Sequence, residues 1–176
     1  CHKDAAHEVQ ETQHWHWKDK THGLGKVNLI NNFCLGVSGN LSSCTKCHAG
    51  YGWKDTKFDF KDSSKVDCLV CHERSGQYVK GASGVPTPQT DLLKAAQSVG
   101  YPKRENCGSC HYYGGGGLAV KHGDLDTSLT NPTESIDVHM GRMNFQCIDC
   151  HKTEHHQIRG KAYSVSIDNQ GGFDCT

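Results

Sequence analysis

The stretch Cys44-Thr45-Lys46-Cys47-His48 decides how this chain is read. Its pattern, C-x-x-C-H, recurs at Cys68-Leu69-Val70-Cys71-His72, Cys107-Gly108-Ser109-Cys110-His111 and Cys147-Ile148-Asp149-Cys150-His151. Two thiols at this spacing form thioethers with the vinyl groups of a haem, and the histidine after them offers an imidazole to the iron. The chain also opens on Cys1-His2, the last two letters of such a motif, and stops at Cys175-Thr176, the first letters of another. The expectation is haem c at four complete sites, with one or two more at the cut ends. The attachment cysteines are Cys1, Cys44, Cys47, Cys68, Cys71, Cys107, Cys110, Cys147, Cys150 and Cys175. The motif histidines are His2, His48, His72, His111 and His151.

Two other chemistries use C-x-x-C. A zinc ribbon gathers four sulfurs on one metal, and a thioredoxin-like site carries one pair beside a βαβ unit. Neither requires histidine after every second cysteine, and no alternation of apolar strands and helices is visible. Zinc and dithiol chemistry are therefore set aside.

Hydrophobic residues make up 35% of the 176, aromatics 8%, and mean hydropathy is −0.67. Such a chain builds a thin core on its own. Flat apolar cofactors would supply much of the interior, and folding without them should fail because the surface that offsets chain entropy is largely theirs. The fold class expected is a multihaem one: mainly short α-helices and loops wrapped around a close-packed haem array, with little β. Residues 1–176 read as one such domain, a fragment of a longer chain with both ends inside haem motifs. Lys plus Arg and Asp plus Glu balance at 19 each, so no basic surface argues for nucleic acid. Apolar runs are a few residues long, so nothing is expected to span a membrane.

Along the chain, residues 4–17 read as one helix with Asp4 as its cap. His7 and His14 would share a face about 10 Å apart along the axis, with His16 pointing the other way. All three are candidate iron ligands, and Trp15 and Trp17 are expected against porphyrin faces or edges. Residues 22–43 read as loop with Cys34 inside it, either a small buried hydrophobe, half of a disulfide, or a thiol lining a pocket. Motif histidines are spaced by 24, 39 and 40 residues, and the short first interval brings two haems close. Residues 76–88 form a connector. Residues 91–99 are the clearest helix, capped by Thr90 or Asp91, with Leu92, Leu93, Ala95, Ala96 and Val99 on one face and Gly100 as its stop. The run Gly114-Gly115-Gly116-Gly117 lets backbone approach a flat cofactor closely, or is a surface loop. His122, His139 and His156 are further candidate ligands, with Met140 and Met143 as softer alternatives. His155 and His156 are adjacent, so at most one of them reaches a given iron. Residues 162–168 alternate apolar and polar in strand fashion.

Longer strings carry a resemblance. Cys1-His2-Lys3-Asp4-Ala5-Ala6-His7-Glu8, Glu11-Thr12-Gln13-His14-Trp15-His16-Trp17, Asn31-Asn32-Phe33-Cys34 and Gly50-Tyr51-Gly52-Trp53-Lys54-Asp55 appear in this order. Val66-Asp67-Cys68-Leu69-Val70-Cys71-His72, Tyr113-Gly114-Gly115-Gly116-Gly117 and Val120-Lys121-His122-Gly123-Asp124 follow. Together they resemble the octahaem tetrathionate-reductase-type cytochromes c, over roughly haems one to five of eight. The chain departs from that pattern at Leu118, where the resemblance implies a polar residue.

The resemblance implies that Lys121, rather than His48, ligates the iron of the Cys44/Cys47 haem. It also implies that the opposite face of that haem is open and reactive, and that Cys34 lies close to it. Lys121 and Cys34 are the candidate catalytic residues. A lysine binds metal only as the neutral amine, and burial beside the metal favours loss of its proton. The implied reaction is haem-dependent reduction of a small sulfur or nitrogen substrate of the tetrathionate, nitrite or hydroxylamine class. The alternative is a non-catalytic electron-transfer cytochrome, soluble or filament-forming, with every iron six-coordinate. Partners implied are redox proteins (other cytochromes or quinol-linked donors) and a small inorganic anion, with homo-oligomer or filament assembly left open. Resemblance to c-type cytochromes implies a periplasmic or extracellular location.

Overall fold

The computed structural model describes residues 3–28, 36–112, 118 and 123–160. Among these residues the architecture is short helices and loops with one two-stranded hairpin. The expected helix over 4–17 is two helices, α1 (Ala5–Gln10) and α2 (Gln13–His16). Thr12 breaks it. Its backbone is extended (φ −92°, ψ 164°), and its hydroxyl accepts from the Trp15 N–H at 3.3 Å and donates to the Val9 carbonyl at 2.7 Å. A threonine that caps the next turn cannot also continue the previous one. His7 and His14 therefore share no helix face.

The motifs each occupy about one helical turn, which brings the two cysteines to the same side. The first spans the end of α3 (Leu41–Cys44) and the 3-10 turn Thr45–Cys47. The second is α4 (Leu69–His72), the third the end of α6 (Arg104–His111), and the fourth α8 (Cys147–Cys150). Between them lie α5 (Leu92–Gln97) and α7 (Val138–Arg142). Strands β1 (Thr153–Glu154) and β2 (Gln157–Ile158) pair antiparallel, with Thr153 opposite Ile158. The strand expected over 162–168 lies outside the described residues.

Helix α5 is capped as expected, Asp91 accepting from the Lys94 N–H at 2.9 Å. Its apolar face is not a core face. Only Ala95 is buried, and Leu93 is 69% exposed. The contact with the second motif runs instead through Ser98, whose hydroxyl accepts from the N–H groups of Arg74 and Ser75.

The core is thin and local. Trp15, Trp17, Val37, Leu41, Cys44, Trp53, Phe58 and Val66 form one cluster. Trp15 has no exposed surface and donates its indole N–H to the Phe60 carbonyl at 2.9 Å. The expectation that it lies on a porphyrin is thus not met: protein already covers it completely. Gly50 lets this cluster close, since a Cβ there would stand 2.6 Å from the Trp15 ring and 3.0 Å from the His48 ring.

Buried polar groups tie the motifs to one another. Lys80 and Asp67, both almost fully buried, pair at 2.8 Å. Asp67 also accepts from the Tyr51 and Tyr78 hydroxyls at 3.0 and 2.9 Å. Lys80 donates to the carbonyls of His48 and Gly50, so the first motif is locked to the residue preceding the second. Arg104 donates to the carbonyls of Thr130 and Phe145, and its N–H to Gln146, which fixes the third motif against the fourth. Asn106 donates to the Glu73 carbonyl and fixes the third against the second. Among the described residues no helix is long and apolar enough to cross a membrane.

Removing one partner of a buried ion pair leaves the other charge uncompensated. Lys80→Met should therefore destabilise the protein by about 3–5 kcal/mol. A denaturant melt of the haem-loaded protein checks this, and an unchanged midpoint would show that the pair is not what joins the first two motifs.

Candidate functional site

Three of the four motif histidines are held alike. The Nδ1–H of His72 donates to the Gly100 carbonyl at 3.0 Å, that of His111 to Gly123 at 2.7 Å, and that of His151 to Arg159 at 2.9 Å. In each case a returning segment fixes the ring, and Nε2 is the nitrogen left for a metal. Gly100 holds His72 twice, because its own N–H also donates to the His72 carbonyl at 2.9 Å. Gly123 reaches His111 from a left-handed backbone (φ +89°) that glycine adopts without strain.

His48 is held the other way round. Its Nε2–H donates to the Trp15 carbonyl at 2.7 Å, and Nδ1 has no hydrogen-bond partner among the described residues. The ring is fully buried among Trp15, Trp17, Trp53, Phe58 and Phe60, with ring centres 4.9–6.3 Å away. It offers no accessible nitrogen. Burial, aided by the nearby Lys80 charge and opposed by the Trp15 carbonyl, pushes its pKa down to about 3.

Two further histidines meet motif histidines. The rings of His14 and His111 stand 6.2 Å apart, and those of His72 and His156 stand 6.4 Å apart. Two imidazoles bound to opposite faces of one metal, each through a nitrogen at about 2 Å, have ring centres roughly 6 Å apart. The residues thus fit haem c: thiols presented from one turn, an imidazole aimed through Nε2, and a second imidazole at axial distance. The His14 side chain is exposed in the polypeptide. Crowding by protein atoms, then repulsion from the groups of His111, Lys26 and His151, lowers its pKa to about 4, so the neutral ring that a metal requires is favoured.

The attachment sites converge. The Cys110 thiol lies close to that of Cys47, and the Cys107 thiol close to that of Cys147. The third motif therefore sits between the first and the fourth. The first and second are also adjacent, as their short spacing implied, through Asp67 N–H to the Ala49 carbonyl at 3.0 Å.

Other sequence candidates are placed apart. His7 contacts Gln10 within its own helix at 3.2 Å, His16 stacks on Phe60 at 5.6 Å, and His139 lies exposed beside Phe145 and Asp137. Met143 is exposed as well. Cys1, His2, Cys34, Lys121, His122, Cys175 and the glycine run at 114–117 lie outside the described residues. Asp67, Lys80, Arg104 and Glu8 were not singled out as site residues by sequence reasoning, and Gly100 was read only as a helix stop. Only Asp67 had a local signal, its place directly before a motif.

This is the fold of a multihaem c-type cytochrome, a class that carries electrons on covalently attached haem. In particular, the chain is similar to the octaheme cytochrome c from Shewanella oneidensis, whose crystal structure it matches with a TM-score of 0.80 and 52% identity. The match covers 92% of this chain and 38% of that one, and the octahaem resemblance read from the sequence is borne out. An uncharacterized protein of Archaeoglobus fulgidus is 26% identical over 155 residues, 76% of this chain. This chain spans about half the length of that curated relative. No protein-family model matches the chain.

The burial of His48 has a measurable consequence. Its folded pKa lies far below the unfolded value near 6.5, so the folded state resists protonating it. The stability this represents is present above about pH 6.5 and is lost as pH falls towards 3, at up to about 1.4 kcal/mol per pH unit. His48→Gln, which does not titrate, should lose stability less steeply between pH 6 and pH 4, as read from thermal midpoints; parallel slopes for the two proteins would refute this.

Proposed function

We propose that the chain is an electron-carrying haem array in which three sites relay electrons and the Cys44/Cys47 site reacts. The observation that carries this reading is the exchange of ring nitrogens: His72, His111 and His151 donate through Nδ1, whereas His48 donates through Nε2. A motif whose own histidine is committed to a backbone carbonyl needs another iron ligand. The family resemblance supplies Lys121, which binds as the neutral amine.

When bound, the haems supply one-electron transfer and, at an iron with a free face, Lewis-acid binding of a small anion. The protein's residues do the rest. The eight motif cysteines anchor the groups. His72 with His156, and His111 with His14, would supply the imidazoles that hold two of the relay haems. The aromatic cage and Lys80 hold His48 aside. Cys34, by the same resemblance, lines the open pocket. The substrate proposed is a sulfur or nitrogen species of the tetrathionate, nitrite or hydroxylamine class. The array would work outside the cytoplasmic membrane, fed by another cytochrome or a quinol-linked donor, with residues 1–176 as part of a longer array.

The two imidazole pairs also favour a second reading, a conduit in which every iron is six-coordinate. Spectroscopy of the haem-loaded protein separates the two. The reactive reading expects one haem with a high-spin ferric signal that binds nitrite, hydroxylamine or cyanide. Lys121→Met should alter that signal alone and lower turnover at least tenfold. Uniform low-spin spectra that take up no small ligand, unaffected by Lys121→Met, would establish the conduit.

A further inference from the structure

Glu8 joins the two ends of the described chain. It lies on α1, yet its carboxylate accepts from the Nδ1–H of His155 at 3.0 Å and from that of His156 at 2.7 Å, across 147 and 148 residues. The two histidines form the two-residue turn of the β1–β2 hairpin, both with the left-handed backbone (φ 46° and 60°) that such turns favour. Their surroundings differ. The His155 side chain is 75% exposed, whereas that of His156 is 31% exposed and its ring faces His72.

A histidine whose Nδ1–H is held by a carboxylate is left with Nε2 as its metal-binding nitrogen. The carboxylate draws on the proton and makes the ring a stronger electron donor. Stronger donation favours the oxidised metal. The Nδ1 partner of His72, the Gly100 carbonyl, is neutral, as is the Gly123 carbonyl that holds His111. The site at Cys68/Cys71 therefore has a negatively charged group behind one of its candidate ligands.

We infer that Glu8 is a positioning residue for the second haem site. Through His156 it lowers the reduction potential of the haem at Cys68/Cys71 and fixes that ligand's orientation. The inference rests on the pairing of His72 with His156 given above. It makes this haem a low-potential step in the array, set by a residue from the opposite end of the described sequence.

Potentiometric titration and electron paramagnetic resonance of the haem-loaded protein test it. Glu8→Gln keeps the size and an acceptor oxygen but removes the charge. It should raise one haem's ferrous-to-ferric ratio about tenfold at a fixed potential, about 59 mV for a one-electron couple, and leave the other haems in place. Glu8→Asp, which keeps the carboxylate, should give back most of that shift. His156→Met marks the haem: it should change the same low-spin signal that Glu8→Gln perturbs. If His156→Met changes a haem signal but Glu8→Gln moves no potential, tuning by Glu8 is wrong and the pairing stands. Equal shifts from Glu8→Gln and Glu8→Asp would likewise reduce Glu8 to a packing role. If His156→Met changes no haem signal, the pairing itself is wrong, and the inference falls with it.

Discussion

A four-residue helix closes barely one turn of hydrogen bonds and does not persist in water by itself. The motif helices here are of that size, the longest reaching eight residues. What holds their cysteines and histidines in place is bonding between motifs. Lys80 and Asp67 lock the first to the second, Asn106 the second to the third, and Arg104 the third to the fourth. These contacts are buried or half-buried and satisfy backbone carbonyls that loops would otherwise leave unpaired. The apolar core contributes chiefly around the first motif, so the polar clamps do for the remaining three what side-chain packing does in a larger domain.

Within that frame an imidazole has one nitrogen for the protein and one for a metal. At three motifs the protein takes Nδ1 and leaves Nε2 outward. At the first it takes Nε2, and the aromatic cage covers the rest of the ring. The difference lies in the acceptor's position. Gly100, Gly123 and Arg159 approach their histidines from loops at the rim of each motif, while the Trp15 carbonyl approaches His48 from within the core. Identical five-residue patterns therefore produce two kinds of site.

The class of fold and the scarcity of strand were legible in the sequence, because thiol spacing and low hydropathy are local or compositional properties. The cap at Asp91 was legible for the same reason. Thr12 misled: a helix-compatible run of residues hid a hydroxyl that caps better than it continues. The apolar face of α5 misled too, since periodicity says which residues share a side but not whether anything packs there. The setting of His48 could not be read, because it depends on a carbonyl 33 residues away and on aromatic rings from two segments, Trp15 and Trp17 from one and Trp53, Phe58 and Phe60 from the other. The Glu8 contacts and the Lys80–Asp67 pair belong to the same kind. Each partner looks like an ordinary surface charge until the chain closes.

The direction of these contacts along the chain sets an order of events. Gly100 follows His72 by 28 residues, Gly123 follows His111 by 12, and Arg159 follows His151 by 8. A chain that emerges from its N-terminus presents each of these histidines before the carbonyl that will aim it. Their rings stay free to rotate until the next stretch has arrived. His48 alone finds its partner already made, because Trp15 precedes it. The histidine withdrawn from its motif is thus the first that can be captured, and the three left outward are aimed later, from downstream.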